Sequence, residues 1–316
     1  MSQLDVQVID PKRAWKDLLV ASAPEQKLYL EELLRQYELE IVVGPDARGA
    51  QLAASHRRIR FDNKTMRVYW LLGFAGWRVI ECYAPAIIAA LFGLGTLRQW
   101  LDADTGLVEV EEKFWEQLRW ARSLLSASSA DQFEWPPEIP PPGTDRDSLS
   151  LEHRAVHDIT LISTAYAFLH ELRHVMFFRD GAPPARPEEE LACDVFAREY
   201  LTARIGEYAK ANGVPYEHIL RKRSIASALG VLVLYETTDR WGDAGTEHYP
   251  PLADRMDAAL RSTPLHPDDP FWVYYGAVLV AMLRRRKSAL EVIGATAKAS
   301  CEALVEEIRS ASSPAT

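Results

Sequence analysis

At 316 residues, 48% of them hydrophobic and 26% charged, the chain is long enough for one large or two ordinary domains and apolar enough to bury a core. With 45 acidic against 36 basic residues, the formal net charge is −9. That balance excludes a broad phosphate-neutralising surface, so no nucleic-acid partner is expected.

The three cysteines, Cys82, Cys193 and Cys301, are too few and too scattered for a disulfide framework or a paired-cysteine metal site, which points to a reducing compartment. No basic stretch followed by an apolar run begins at Met1, so a cytoplasmic location is expected. Along the chain, Gln26 to Tyr37 is amphipathic. Leu39–Val43, Arg58–Phe61 and Met66–Trp70 are rich in branched and aromatic residues and read as strands, with turns at Gly44-Pro45 and Asp62-Asn63. Val68 to Trp100 reads as one or two packed helices. The apolar run Tyr69–Gly95 is interrupted by Arg78 and Glu81, leaving less than the ~20 residues a membrane span needs. Ile225–Tyr235 and Trp272–Leu283 are shorter still, so core helices and no membrane partner are expected. The basic runs Arg221-Lys222-Arg223 and Arg284-Arg285-Arg286-Lys287 read as solvated helix surface.

Between Ser126 and Ser148 the composition shifts to Ser, Pro, Asp and Gly, with Trp135-Pro136-Pro137 and Pro140-Pro141-Pro142-Gly143; proline removes donors and fixes φ, so this is an extended connector or long loop. From Leu149 the pattern is almost wholly helical. The expected organisation is an N-terminal α/β region over residues 1–125, a Pro/Ser-rich connector over 126–148 and a helical region over 149–316. The fold class is α+β, a small sheet with a mostly helical remainder.

Leu161, Ala165, Phe168, Leu172 and Val175 follow helical spacing, and Tyr166, Ala167 and Phe177 leave little polar surface opposite, so this helix should be buried. Gly181, followed by Pro183 and Pro184, marks its end. Within it His170 and His174 stand four residues apart and project from one face, close enough to ligate one metal ion. Glu171 lies about 100° round the helix, where it can take a proton from a water without occupying a ligand position. This His-Glu-x-x-His pattern is the mechanism of a zinc metallopeptidase, with Zn2+ as cofactor and Glu171 as general base. A chance match in a chain of this composition is on the order of one in sixty, so a third ligand is needed.

Glu188-Glu189-Glu190 opens a second helix, with Pro187 as its expected first residue. Glu190 is the candidate third ligand and Glu189 its competitor; acids here also favour the helix dipole. Asp194, one turn after Glu190, is placed to steady a ligating histidine through its free N–H. His248 is a candidate for hydrogen-bonding a developing oxyanion or for blocking the open metal position, with Tyr249 as the alternative donor. His153 and His157 show no ligand spacing and read as surface.

His170 to His174 followed by Glu190-x-x-x-Asp194 resembles the gluzincin pattern. With Phe168–Phe177 and the later segment His248-Tyr249-Pro250-Pro251-Leu252-Ala253-Asp254-Arg255, it resembles the Lit family of bacterial phage-exclusion peptidases. The resemblance covers roughly residues 149 to 260. It implies a zincin-like fold, a cytoplasmic zinc endopeptidase acting in phage defence, a protein substrate such as a translation factor, and latency until a protein or peptide activator is bound. The ImmA/IrrE-like regulatory peptidases are similar in Ala192-Cys193-Asp194 and Phe196-Ala197, with Asp194 where they have Asn, and imply cleavage of a repressor instead. The HtpX-like peptidases are similar in the Glu-x-x-x-Asp segment and loosely in 247–255, but are membrane proteins. A catalytically silent zinc-containing module that binds proteins is the alternative of a different class.

Overall fold

The computed structural model describes residues 11–103, 107–237, 244–285 and 294–312. It is an α+β protein, mostly helical, with one small sheet near its N-terminus. Helices α1 (Pro11–Ser22) and α2 (Lys27–Gln36) precede strands β1 (Glu40–Gly44), β2 (Leu52–Ser55) and β3 (Arg58–Asp62). The strand order is β1-β3-β2, with β1 parallel and β2 antiparallel to β3, so β2 is an edge.

Two of the three expected strands are present. The third, Met66–Trp70, instead lies in α3 (Asn63–Leu91). Its branched and aromatic residues favour a strand locally, but Asp62 caps a helix there, its carboxylate accepting from the Thr65 N–H at 2.6 Å. The long apolar helix that follows buries more than a five-residue strand could. Conversely β2, Leu-Ala-Ala-Ser, carries no strand signal of its own. It is held from outside: the buried Lys64 ammonium donates to the carbonyls of Gly49, Leu125 and Ala127 at 2.9–3.0 Å. That ties the loop entering β2 to the end of α5 (Leu107–Ser126).

α3 is the one helix among the described residues that is long and apolar enough to cross a membrane. Here it is a core helix, packed against α5, α4 (Leu97–Asp102), α6 (Leu151–Asp180), α9 (Tyr216–Thr237) and α11 (Pro270–Arg285). Two glycines allow the close approaches. A Cβ at Gly73 would collide with the Thr160 side chain of α6, and one at Gly230 would stand 2.6 Å from Tyr166 Cδ1. We therefore expect Gly73→Ala and Gly230→Ala each to cost about 1–3 kcal/mol in denaturant unfolding, through overpacking; unchanged stability would contradict such tight contacts.

The segment 127–148 has no helix or strand before a short 3-10 turn at Arg146–Ser148, its expected first residue Ser126 closing α5. It is nonetheless packed: Ile139 is buried, and the Trp70 indole donates to the Pro140 carbonyl at 2.7 Å. The helices α7 (Glu188–Thr202), α8 (Ile205–Asn212), α10 (Leu252–Arg261) and α12 (Ala297–Ser312) complete the architecture. One contiguous apolar core runs from Trp15 to Ile308.

The basic run at 221–223 is not solvated surface. Arg221 forks onto Asp269, Lys222 reaches Asp158, and the buried Arg223 pairs with Glu25, so each ties α9 to another element. Arg284 likewise grips Glu111; the side chains of 285–287 lie outside the described residues. His153 and His157 are half-buried rather than surface, set edge-on against Phe74 and Trp70 of α3.

Candidate active site

α6 begins at a Ser150 cap and ends at Gly181, whose φ of 68° is the left-handed cap that glycine accepts without strain. Its length brings the His170–His174 segment beside β2, and α7 packs against it after the proline-rich turn at 183–187. His170 and His174 are buried, as are Glu189, Glu190 and Asp194 from the first two turns of α7.

The five side chains interlock. His170 Nδ1 stands 2.9 Å from Asp194 Oδ1, and His174 Nδ1 stands 2.6 Å from Glu189 Oε1. A carboxylate on each Nδ1 makes that nitrogen the donor and leaves Nε2 as an acceptor. The two Nε2 atoms then face one another at 3.3 Å, with Glu190 at 3.1 Å from the first and 3.4 Å from the second. Three acceptors converging inside a buried site require either a proton or a cation between them. Ligands about 2.0–2.1 Å from a tetrahedral zinc ion stand about 3.3 Å apart, which is the spacing seen here. The donor set fits a divalent metal.

Glu189 stands at His174 Nδ1 as Asp194 stands at His170 Nδ1, whereas Glu190 faces the two Nε2 atoms. Asp194 is itself gripped by the fully buried Arg255 of α10, Nε to Oδ2 at 2.6 Å and Nη2 to Oδ1 at 2.5 Å. Arg255 appeared in the sequence only as the end of a loosely matched segment, with no role attached. Arg186, half-exposed at the mouth, lies 3.4 Å from Glu189 and 3.6 Å from Glu190.

Cys193, which no spacing rule marks in the sequence, also faces the histidines. Its buried sulfur and the imidazole nitrogens of His170 and His174 all lie within 4.8 Å of one another, and this group could hold a metal ion. Burial pushes its thiol far up, and the neighbouring charges of Glu190 and Asp194 push it further. Burial also opposes ionisation of Glu190, but hydrogen bonds to His170 and His174 outweigh it and hold that carboxyl below the usual range. In Asp194 the Arg255 charge and the His170 hydrogen bond overcome burial in the same way.

Burial works against charge on His170, yet its hydrogen bonds to Asp194 and Glu190 push it up to about 9. Below that pH the metal-free imidazole carries an extra proton, which an arriving ion must displace. Affinity should therefore fall as pH drops below about 9. Zinc titrations at about pH 8 should release roughly one proton per ion, read as a binding heat that varies with the buffer's ionisation enthalpy; a heat independent of buffer would contradict it.

Glu171 lies beside this cluster and points elsewhere. Its Oε2 accepts from the Ala54 N–H of β2 at 2.7 Å. Burial pushes its carboxyl up and the Glu190 charge adds to that, while the histidine charges and the Ala54 N–H pull it down. A carboxylate poised above its ordinary range suits proton transfer near neutral pH.

A pocket of about 420 Å3 opens over His170, Glu171, His174 and Glu190, walled by Ala54 of β2 and by Tyr249. His248 is not brought to it: its side chain is 62% exposed and pairs with Glu247. Of the two neighbours considered from sequence, Tyr249 is the one at the pocket.

The fold and the site together define a class: a buried two-histidine, carboxylate-rich centre able to hold a metal, open to a cleft beside a sheet edge. The Peptidase U49 family model matches residues 59–275, which include the site residues of α6, α7 and α10 and Tyr249 but not β2, and the chain belongs to that peptidase family. No match is found among curated proteins or solved structures.

Proposed function

We propose that the protein is a zinc-dependent endopeptidase of zincin-like design, with His170, His174 and Glu190 as ligands and Glu171 as the proton-transferring base. The observation that carries this reading is the convergence of the two Nε2 atoms and the Glu190 carboxylate at 3.1–3.4 Å, with Glu171 adjacent and hydrogen-bonded elsewhere. Glu190 is preferred to Cys193 as third ligand because it is already ionised and touches both Nε2 atoms, whereas the thiol must first lose a proton that its surroundings hold tightly.

A zinc ion held there would lower the pKa of a coordinated water to about 7 and polarise a substrate carbonyl. Asp194 and Glu189 fix the imidazole tautomers, and Arg255 holds Asp194 in register. Glu171 takes the proton of the attacking water and returns it to the leaving amine. Tyr249, which lines the pocket, is the proposed O–H donor toward the developing negative oxygen.

Substrate binding follows from strand alternation. The Asp62 N–H donates to Gln51 O, so Gln51, Ala53 and Ser55 face β3, while Leu52 and Ala54 turn their backbone groups outward; the Ala54 N–H is taken by Glu171, which leaves the Leu52 N–H and carbonyl and the Ala54 carbonyl to meet a peptide. An extended peptide can pair with that edge and lie across the pocket. Hydrolysis of an unfolded protein such as casein should be abolished by a strong chelator and restored by zinc; hydrolysis unaffected by chelation would sink the metallopeptidase reading. A cytoplasmic setting, a protein substrate such as a translation factor or repressor, and a role in phage exclusion rest on the motif resemblance. Phage plating on cells expressing wild type or a Glu171→Gln variant tests that role, and equal plating on both counts against it.

A further inference from the structure

Three charged residues follow one another at one-turn intervals along one face of α7: Glu190, Asp194 and Arg198. The first two belong to the metal centre. Arg198 does not. The residue is 7% exposed, its Nε and Nη1 are wholly buried, and neither has a hydrogen-bond partner among the described residues.

That is unlike the other two buried arginines among the described residues. Arg223 holds Glu25 and Arg255 holds Asp194, as a guanidinium removed from water requires. The groups that feel the Arg198 charge are the phenols of Tyr166 and Tyr275, which are fully buried and neutral, so neither neutralises it.

Arg198 lines a second pocket, of about 260 Å3, between α7, α9, the end of α10 and the start of α11. Ser224, Ser227 and Thr263 share its wall with Leu220 and Phe271; the Ser227 and Thr263 hydroxyls donate to backbone carbonyls of Arg223 and Ala259. None of these residues belongs to the pocket over His170 and His174. We infer that this pocket is a binding site for a small oxyanion, phosphate or carboxylate, received by the unpaired Arg198 guanidinium, with room beside Leu220 and Phe271 for an apolar or aromatic body. Of the three guanidinium nitrogens Nη2 is the one not wholly buried, so it is the N–H donor that meets such a group. The inference is independent of whether the first pocket holds a metal.

The test is thermal unfolding of the full-length protein, wild type and Arg198→Met, in phosphate, phenyl phosphate, benzoate and sodium chloride at matched ionic strength. The oxyanions should raise the wild-type midpoint saturably, by roughly 2–5 °C at concentrations well above Kd, with no such rise in Arg198→Met. A larger rise with phenyl phosphate or benzoate identifies an organic ligand; equal rises with phosphate and phenyl phosphate identify the free anion. The same rise in wild type and variant, or none beyond that of chloride, overturns the site. If Arg198→Met does not fold, calorimetric titration of wild type and Arg198→Lys with phenyl phosphate replaces it: weakened binding in the variant supports the site, and no binding to wild type overturns it.

Discussion

Replacing Glu171 with Gln is expected to lower the rate of peptide hydrolysis by roughly 100- to 10,000-fold while leaving metal content and fold intact. Glutamine keeps an oxygen to accept the Ala54 N–H at the position Oε2 now occupies, so the wall of the pocket is preserved. It cannot take up a proton. Removing a half-buried carboxyl whose ionisation its surroundings already oppose should not destabilise the protein. The measurement is the initial rate on casein alongside zinc content and unfolding midpoint. A variant that stays active would remove Glu171 from the chemistry, and one that loses its metal would mean that Glu171 helps hold the ion.

The second large effect is structural. Asp194→Ala is expected to cost about 3–5 kcal/mol in denaturant unfolding, because Arg255 is fully buried and Asp194 is the carboxylate it grips through two nitrogens. The same change frees His170 Nδ1 from its acceptor, which should weaken zinc binding about 10- to 100-fold. The two consequences are separable. Adding Arg255→Met removes the stranded charge and should recover much of the stability without recovering the affinity. If the single variant unfolds like wild type, the ion pair is not the buried anchor described. If the double variant restores metal binding, Asp194 acts through Arg255 rather than through the imidazole.

The core of the site was legible because helical spacing is rigid: residues four apart on one helix share a face whatever surrounds them, which fixed His170 with His174 and Glu190 with Asp194. The α+β class and the end of α6 at Gly181 were readable for similarly local reasons. What could not be read was long-range. Ala54 supplies the backbone donor for Glu171 from a strand of small residues, held in place by Lys64 and by pairing with β3. Arg255 reaches Asp194 from 61 positions away, and no spacing rule links them. Met66–Trp70 was misread because β-favouring side chains decide less than a helix cap and a buried face. Glu189 and Cys193 sit in the expected segment, but which acid faces the ligand point and which faces a ring nitrogen depends on how α7 is rotated against α6.

The most direct test of the central claim is zinc per chain, by elemental mass spectrometry, on purified wild type, Glu190→Ala and Cys193→Ala. The account predicts about one zinc per chain in wild type and Cys193→Ala, and a sharp fall in Glu190→Ala. Zinc kept by Glu190→Ala and lost by Cys193→Ala would move the third ligand to the thiol, and no metal in wild type after zinc is supplied would contradict the metallopeptidase reading altogether.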